Sequence, residues 1–191
     1  MGTVNRGLFT STTDEWPTPI DLFRELNAEF SFTLDPCASA DNAKCDVYYT
    51  IQDDGLRQPW HGTVFMNPPY GRAIGQWVAK AHAESRKGAT VVCLIPARTD
   101  TTYWHEYVMQ AAEVRFIRGR LNFANARQDN RKATGESKAH NAPFPSVIVI
   151  FRPGWDLRRP SMSAVNRDGS VGQQFPNLWR EADQILKESA R

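Results

Sequence analysis

A short run in the middle of the chain, FMNPPYG at residues 65–71, brings together a carboxamide, two prolines, an aromatic ring and a glycine. A residue before a proline is kept out of the helical conformation, and this restriction applies to Asn67 and again to Pro68. Prolines have no N–H, so the turn offers mainly two acceptors, the Asn67 side-chain oxygen and the Pro68 carbonyl. We predict that Tyr70 presents an exposed ring beside them and that Gly71 lets the chain bend away.

Two fixed acceptors beside an aromatic face suit a planar group that carries an –NH2. The exocyclic amine of adenine is a weak nucleophile because its lone pair is delocalised, and acceptors that hold both N–H bonds favour the reactive pyramidal geometry. Stacking on an aromatic ring contributes roughly 1–3 kcal/mol, comparable with the cost of swinging a base out of a duplex. The alternative is a plain strand-ending turn with Tyr70 in the core.

The apolar pattern on either side of this turn predicts a βαβ unit. Residues 63–67 indicate a buried strand that ends at Asn67, and residues 74–87 indicate a helix that stops at Gly88. The unbroken apolar run ATVVCLIP is typical of a strand that is covered on both faces. NPPY therefore lies at the carboxyl edge of a parallel sheet, where open α/β folds bind ligands.

Upstream of this unit we expect a helix that is capped by Thr18 and begins at Pro19, then a strand, FSFTLD, that ends at Asp35. The interval 36–62 is too short for two full crossovers, so the intervening strands must be short or missing. Downstream we expect a helix capped near Thr99 and two more strands: EVRFIRGRLNF, with a turn at Gly119, and the buried SVIVIF.

Length and composition predict one soluble, cytoplasmic domain. The chain has 191 residues, of which 41% are hydrophobic and 23% charged, and no apolar run is long enough to cross a bilayer. Its three cysteines, Cys37, Cys45 and Cys93, lack the CxxC spacing of a zinc site. We therefore expect neither a disulfide framework nor a metal.

Positive charge is concentrated in one polar stretch. The net charge is +2, but the segment 115–140 contains seven Lys or Arg against Asp129 and Glu136, a local charge of +5. This asymmetry indicates a polyanionic partner. A solvated loop is the alternative.

The order of the motifs resembles that of the phage-type DNA adenine methyltransferases of the Dam family, which use S-adenosylmethionine. The resemblance covers roughly residues 15–151 and is carried by EWPTP, FTLDPCAS, DDGL, VFMNPPYG, VVCLIPARTD, EVRFIRGRL and APFPS. It implies a Rossmann-like α/β fold with a mostly parallel sheet and helices on both faces. It also implies S-adenosylmethionine as the cofactor, double-stranded DNA as the partner, and a bacterial host or phage as the source.

The resemblance also implies residue roles. The residues implied to hold the cofactor are Trp16, Thr18, Pro19, Asp35, Cys37, Asp54, Leu56 and Asn67. Thr18 would meet the methionine carboxylate, Asp35 would lie near the sulfonium and amino group, and Asp54 would accept from the cofactor adenine. The alternatives are a plain helix cap for Thr18, a structural aspartate for Asp35 and a turn residue for Asp54. After Asp35, small residues stand where related folds carry glycines.

The implied catalytic residues are Asn67, Pro68, Pro69 and Tyr70, with Tyr70 stacking on the flipped base. The candidate DNA contacts are the basic residues Arg98, Arg118, Arg120, Arg127, Arg131, Lys132 and Lys138, because cationic side chains neutralise phosphates. Arg98 could instead pair with Asp100. The expected layout is a flexible arm at 1–14, a methyltransferase domain at 15–152 with a recognition insertion at 121–146, and a tail at 153–191 with a short helix.

Two rival functions stay open on the sequence. An NPPY turn would cradle the amide of a protein glutamine equally well, and the missing glycines after Asp35 fit a DNA-binding module without catalysis.

Overall fold

The computed structural model describes residues 16–122, 142–155 and 159–171. The predicted arm at 1–14, most of the basic insertion and the predicted helix near the carboxyl terminus lie outside these ranges. Within the described ranges, no helix is long and apolar enough to cross a membrane.

Three helices and five strands make up the described chain, together with one short 3₁₀ turn. In chain order they are α1 (Ile20–Phe30), β1 (Thr63–Met66), α2 (Ile74–Ser85), β2 (Thr90–Pro96), α3 (Thr102–Glu106), β3 (Glu113–Ile117), β4 (Ser146–Phe151) and β5 (Ser161–Val165).

The strands form one sheet in the order β1-β2-β4-β3-β5. β1 pairs parallel with β2, and β3 pairs parallel with β5. β4 is antiparallel to both of its neighbours, so β1, β2, β3 and β5 all run in the same direction. Their carboxyl ends therefore share one edge, which we call the carboxyl edge. The predicted α/β fold and the β1–α2–β2 unit are confirmed.

Helices cover both faces of the sheet. Phe65, Val92 and Ile150 are register partners and share one face, and the Phe65 ring meets Phe23 of α1 with centroids 5.1 Å apart. Phe151 is paired with Val91 and therefore points to the opposite face. There it contacts His82 of α2, with ring centroids 5.8 Å apart.

The strand predicted at FSFTLD is reduced to isolated bridges on the outer side of β1. The helix α1 includes Phe30, the first residue of this segment, and Ser31 adopts a left-handed conformation (φ 53°). Only residues 32–35 are therefore left to extend. Leu34 bridges β1, and Asp35 bridges Tyr48, both in parallel. Asp35 nevertheless lies at the carboxyl edge, beside the end of β1.

The helix predicted near Thr99 is also shorter than expected. α3 has only five residues and ends at Glu106, shortly before the 3₁₀ turn Val108–Gln110. Threonine, aromatic and histidine residues have modest helix propensity, which explains the early end. The turn predicted at Gly119 is present, with φ at 82°.

β5 lies in the stretch that was expected to be a tail, and it extends the sheet at its outer edge. The turn that follows it, residues 166–170, packs on α1. A Cβ built on Gly169 would lie 3.0 Å from Leu22 Cδ1 and 3.1 Å from Glu25 Cβ, and its φ is +91°. Only glycine allows this approach without strain.

We predict that Gly169→Ala lowers the free energy of unfolding by about 1–3 kcal/mol more than Gly154→Ala does. Gly154 is the matched control, because its φ is also positive at +69° but a Cβ there would meet nothing within 4 Å. Urea denaturation of both variants measures the difference. Equal losses would show that the β5 turn does not dock on α1.

Candidate active site

A cavity of about 430 Å³ opens at the carboxyl edge, beside the end of β1. The sequence-predicted residues that line it are Trp16, Thr18, Asp35, Cys37, Asp54, Asn67, Pro68 and Pro69. Pro19, Leu56 and Tyr70 are not among its lining residues. The structure thus brings together residues that lie as much as 53 positions apart in the sequence, in a volume typical of small-ligand sites.

The Asn67 side chain joins the NPPY turn to the segment that leads into α1. Its Nδ2 donates to the Trp16 carbonyl at 2.7 Å and to Thr18 Oγ1 at 2.8 Å. The prediction that Thr18 caps α1 is wrong. The helix begins at Ile20 without a side-chain cap, and the Thr18 hydroxyl accepts from Asn67 instead.

Tyr70 is buried, so the prediction of an exposed ring is wrong for this conformation. The residue is 9% exposed. Its hydroxyl lies 2.8 Å from Asn67 Oδ1 and 3.1 Å from the Leu94 carbonyl oxygen, and it can donate to either. These two acceptors hold the ring inward, and burial raises the pKa of the Tyr70 hydroxyl well above its usual value. The phenol therefore stays protonated.

An aromatic cluster covers Tyr70. The half-buried Phe144 ring meets Tyr70 edge-on with centroids 5.4 Å apart and meets Trp16 edge-on at 5.3 Å. Phe144 belongs to the APFPS segment just before β4, so it reaches the carboxyl edge from the other side of β2. The sequence reasoning quoted this motif but gave Phe144 no role.

Pro68 supplies a second acceptor at the cavity. Within the described ranges, no backbone N–H donates to the Pro68 carbonyl oxygen. Asn67 Oδ1 also has a lone pair beyond the one that faces Tyr70. Asn67 and Pro68 both line the cavity, so their oxygens are the candidate acceptors for the N–H groups of a ligand.

Asp35 places a buried carboxyl group against the cavity, 5% exposed. Burial raises its pKa to about 6, and the backbone N–H groups of Lys44 and Cys37 oppose the shift by donating to it. The donor–acceptor distances are 3.2 Å for Lys44 and 3.4 Å for Cys37. A desolvated carboxylate of this kind suits a cationic partner such as an ammonium group.

Cys37 lies next to this carboxyl group, with its Sγ 4.0 Å from Asp35 Oδ1. Burial, and then the charge of Asp35, raise the pKa of the Cys37 thiol well above its usual value. The thiol is therefore neutral, and it can fill space at the cavity wall but cannot act as a thiolate nucleophile.

The DDGL segment contributes differently at each position. The Asp53 carboxylate accepts from the backbone N–H and hydroxyl of Thr50 at 2.8 and 2.7 Å, so Asp53 is the turn residue. Asp54 lines the cavity and pairs with Arg57 at 3.1 Å. A Cβ on Gly55 would lie 1.9 Å from the Pro36 carbonyl oxygen, so only glycine fits there.

Sequence reasoning missed several cavity residues because their types carry no signal. Ile51 lines the cavity with 89% of its surface exposed, whereas Leu56, which the resemblance implies as a cofactor contact, does not line it. Trp77 of α2 lines the cavity and stacks on Trp60, with ring centroids 6.1 Å apart. An exposed loop isoleucine and a core tryptophan are ordinary residues until the fold places them together.

Three of the seven candidate DNA contacts lie within the described residues. Arg98 follows β2, and Arg118 and Arg120 follow β3; all three are exposed at the carboxyl edge. Arg115 is held instead by Glu29 and Glu113, with N–O distances of 2.6 and 2.7 Å. The other candidates, Arg127, Arg131, Lys132 and Lys138, lie outside the described residues.

Within the part of the chain that the structure describes, no cluster of His, Cys, Asp or Glu could hold a metal ion.

Comparison with known proteins identifies the family of this chain. The family model described as DNA N-6-adenine-methyltransferase (Dam) matches residues 7–175. A DNA N-6-adenine-methyltransferase of Haemophilus phage HP1 (strain HP1c1) is 31% identical over 148 residues, 75% of this chain and 81% of the relative. The protein of the same description from Escherichia phage T1 is 30% identical over 111 residues, 56% of this chain and 46% of that relative. The chain belongs to the Dam family of DNA N-6-adenine-methyltransferases.

Proposed function

We propose that this protein transfers a methyl group from S-adenosylmethionine to the N6 amine of an adenine that is swung out of double-stranded DNA. The observation that carries the proposal is the cavity itself, which Asn67, Pro68 and the buried Asp35 line together. Family membership favours adenine in DNA over the glutamine amide of a protein.

The chemistry of the cavity fits the proposed cofactor. Asp35 would accept from the ammonium group of the methionine moiety, and Thr18 can still donate its hydroxyl hydrogen to the carboxylate. Asp54 and the exposed Ile51 offer an acceptor and an apolar wall for the cofactor adenine. When bound, the cofactor would supply a methyl group on a positively charged sulfur: the amine nitrogen bonds to the methyl carbon, the carbon–sulfur bond breaks to release a neutral thioether, and the nitrogen loses one proton to water.

The protein's part in the reaction is to orient and polarise the amine. The Asn67 oxygen and the Pro68 carbonyl accept its two N–H bonds, which directs the nitrogen lone pair and stabilises the positive charge that develops during transfer. Neither group takes the proton, because an amide and a peptide carbonyl are not bases at neutral pH.

A base can reach Tyr70 only if the aromatic cluster opens. In the described conformation Phe144 lies against both Tyr70 and Trp16. We therefore propose that a flipped adenine displaces Phe144 and stacks on Tyr70. Stacking on an aromatic side chain contributes roughly 1–3 kcal/mol, which offsets the unstacking of the base.

The direct test is to express the protein in a host that lacks adenine methylation, digest the host DNA to nucleosides and measure N6-methyladenine by mass spectrometry. We expect the modified nucleoside with the native chain and far less of it with Asn67→Ala. Methyl transfer to protein glutamine, or to neither substrate, would overturn the proposal. Sequencing of the methylated DNA then gives the recognition context.

We predict that Tyr70→Ala lowers the rate of methyl transfer by roughly fivefold to a hundredfold, the loss expected for one stacked ring. Tyr70→Phe is the matched control, because it keeps the ring and removes only the hydroxyl that faces Asn67 and Leu94. Single-turnover methylation of a target oligonucleotide measures both variants. A Phe variant as slow as the Ala variant would assign the role to the hydroxyl.

Asp35 predicts a pH dependence of cofactor binding. The carboxyl group holds an ammonium group only when ionised, and its pKa is about 6. The dissociation constant is therefore expected to be flat above pH 7 and to rise below pH 6, approaching tenfold per pH unit. Asp35→Asn should bind weakly without this slope in calorimetry. A native affinity that is constant from pH 5 to 8 would contradict the role.

The same raised pKa predicts the opposite pH dependence for the stability of the free protein: the free protein is more stable at lower pH, where the cofactor binds more weakly. Because the Asp35 pKa is raised from 3.8 to about 6, the folded state holds the proton more tightly than the unfolded state. Without cofactor, the free energy of unfolding should therefore decrease as the pH rises from about 4 to 6, by up to about 3 kcal/mol from this group. Urea denaturation of the native chain and Asp35→Asn, compared across that range, isolates the contribution. A constant difference would show that Asp35 is not desolvated.

A further inference from the structure

A second concavity, of about 410 Å³, lies at the same edge of the sheet, between the end of β3 and the turn after β5. Its lining residues are Arg118, Gly119, Asn166, Arg167 and Asp168. Two of these are cations, and the proposed function gives this site no role beyond the general expectation for Arg118.

The two guanidinium groups are not neutralised by neighbours. Within the described residues, neither Arg118 nor Arg167 has a carboxylate within 4.0 Å, and both residues are exposed. The Asp168 carboxylate accepts instead from the backbone N–H and hydroxyl of Ser170, at 3.0 and 2.7 Å. The concavity therefore presents an excess of positive charge.

The turn that carries Arg167 is firmly held. Asn166 N–H donates to the Ser170 carbonyl at 3.0 Å, and Gly169 N–H donates back to the Asn166 carbonyl at 3.0 Å. Arg118 N–H donates to the Val165 carbonyl at 2.8 Å, which ties the end of β3 to the end of β5. The close approach of Gly169 to α1 then fixes the turn against the helix that leads from the candidate active site.

The two arginines share one surface. The Arg167 side chain lies over Gly119, with Cδ and Nε each 3.7 Å from the position that a Cβ of Gly119 would take. Arg118 is adjacent in the chain, so the two guanidinium groups border the same concavity. Paired guanidinium groups with no carboxylate partner are typical of phosphate recognition.

We propose that Arg118 and Arg167 bind one backbone phosphate of the substrate DNA, to one side of the target adenine. This inference rests on the proposed function and extends it to a contact supplied by the turn after β5. Arg167 is a positioning residue, because it fixes the register of the duplex and does not touch the reacting base.

The strand order sets the distance to that phosphate. β3 and β5 lie three and four positions from β1 in the sheet. At about 4.8 Å per strand, the concavity is about 14–19 Å from the NPPY turn. Successive phosphates of one strand rise about 3.4 Å, so the contacted phosphate lies about four to six nucleotides from the target base.

The test compares Arg167→Gln with Arg86→Gln in the full-length protein. Arg86 is an exposed cation at the end of α2, at the opposite edge of the sheet, and it gives the same loss of charge. The probe is a duplex oligonucleotide that contains the methylated sequence, titrated at several salt concentrations. Arg167→Gln should weaken binding roughly tenfold and lower the salt slope by about 0.9, whereas Arg86→Gln should leave both unchanged.

A second arm identifies the bound group as a DNA phosphate. A neutral methylphosphonate placed about four to six nucleotides from the target adenine should weaken binding by the native chain more than binding by Arg167→Gln, in which only Arg118 remains to contact that phosphate. In methylation assays the loss for Arg167→Gln should fall on KM for DNA, with cofactor affinity intact, and Arg167→Lys should restore part of it.

Two outcomes would overturn the inference, and they are distinguishable. If Arg167→Gln behaves like Arg86→Gln while the native chain binds and methylates DNA, the phosphate contact is absent but the proposed function stands. If the native chain neither binds nor methylates DNA, both fail together.

Discussion

The whole site depends on the carboxamide of one residue. Asn67 donates both amide hydrogens to the segment before α1 and accepts from Tyr70 at its oxygen. Three parts of the chain that are distant in sequence, the entry to α1, the end of β1 and the aromatic cluster, are thereby fixed against one another. The same amide would position both a cofactor bound near Thr18 and a base bound near Tyr70. An in-line transfer between the two requires this fixed relative position.

The described conformation is closed at Tyr70 and open beside Asp35. Tyr70 is 9% exposed and Phe144 lies against it, whereas the cavity beside Asp35 is already formed. This asymmetry suits an enzyme that meets a small cofactor first and opens for a base only when DNA supplies one. Burial raises the pKa of the Asp35 carboxyl group, so a cation that binds beside it would compensate for this desolvation.

Sequence reasoning predicted what depends on local pattern and missed what depends on tertiary contact. The β1–α2–β2 unit followed from apolar runs and the Gly88 stop, and the strand SVIVIF matches β4 at both ends. β5 was missed because an edge strand with exposed residues such as Met162 has little apolar signal. Thr18 was assigned to a cap, the local use of such a residue, because nothing in the sequence shows that Asn67 reaches it.

The most direct measurement is a double-mutant cycle between Asn67 and Thr18, read as cofactor affinity by calorimetry and as single-turnover methyl transfer. Thr18→Val removes the hydroxyl that accepts from Asn67 Nδ2 with little change in volume. If the amide registers both ligands, Thr18→Val should impair both readouts in the native background and add little once Asn67 is alanine. Additive effects of the two substitutions, or an effect of Asn67→Ala on neither readout, would contradict the account.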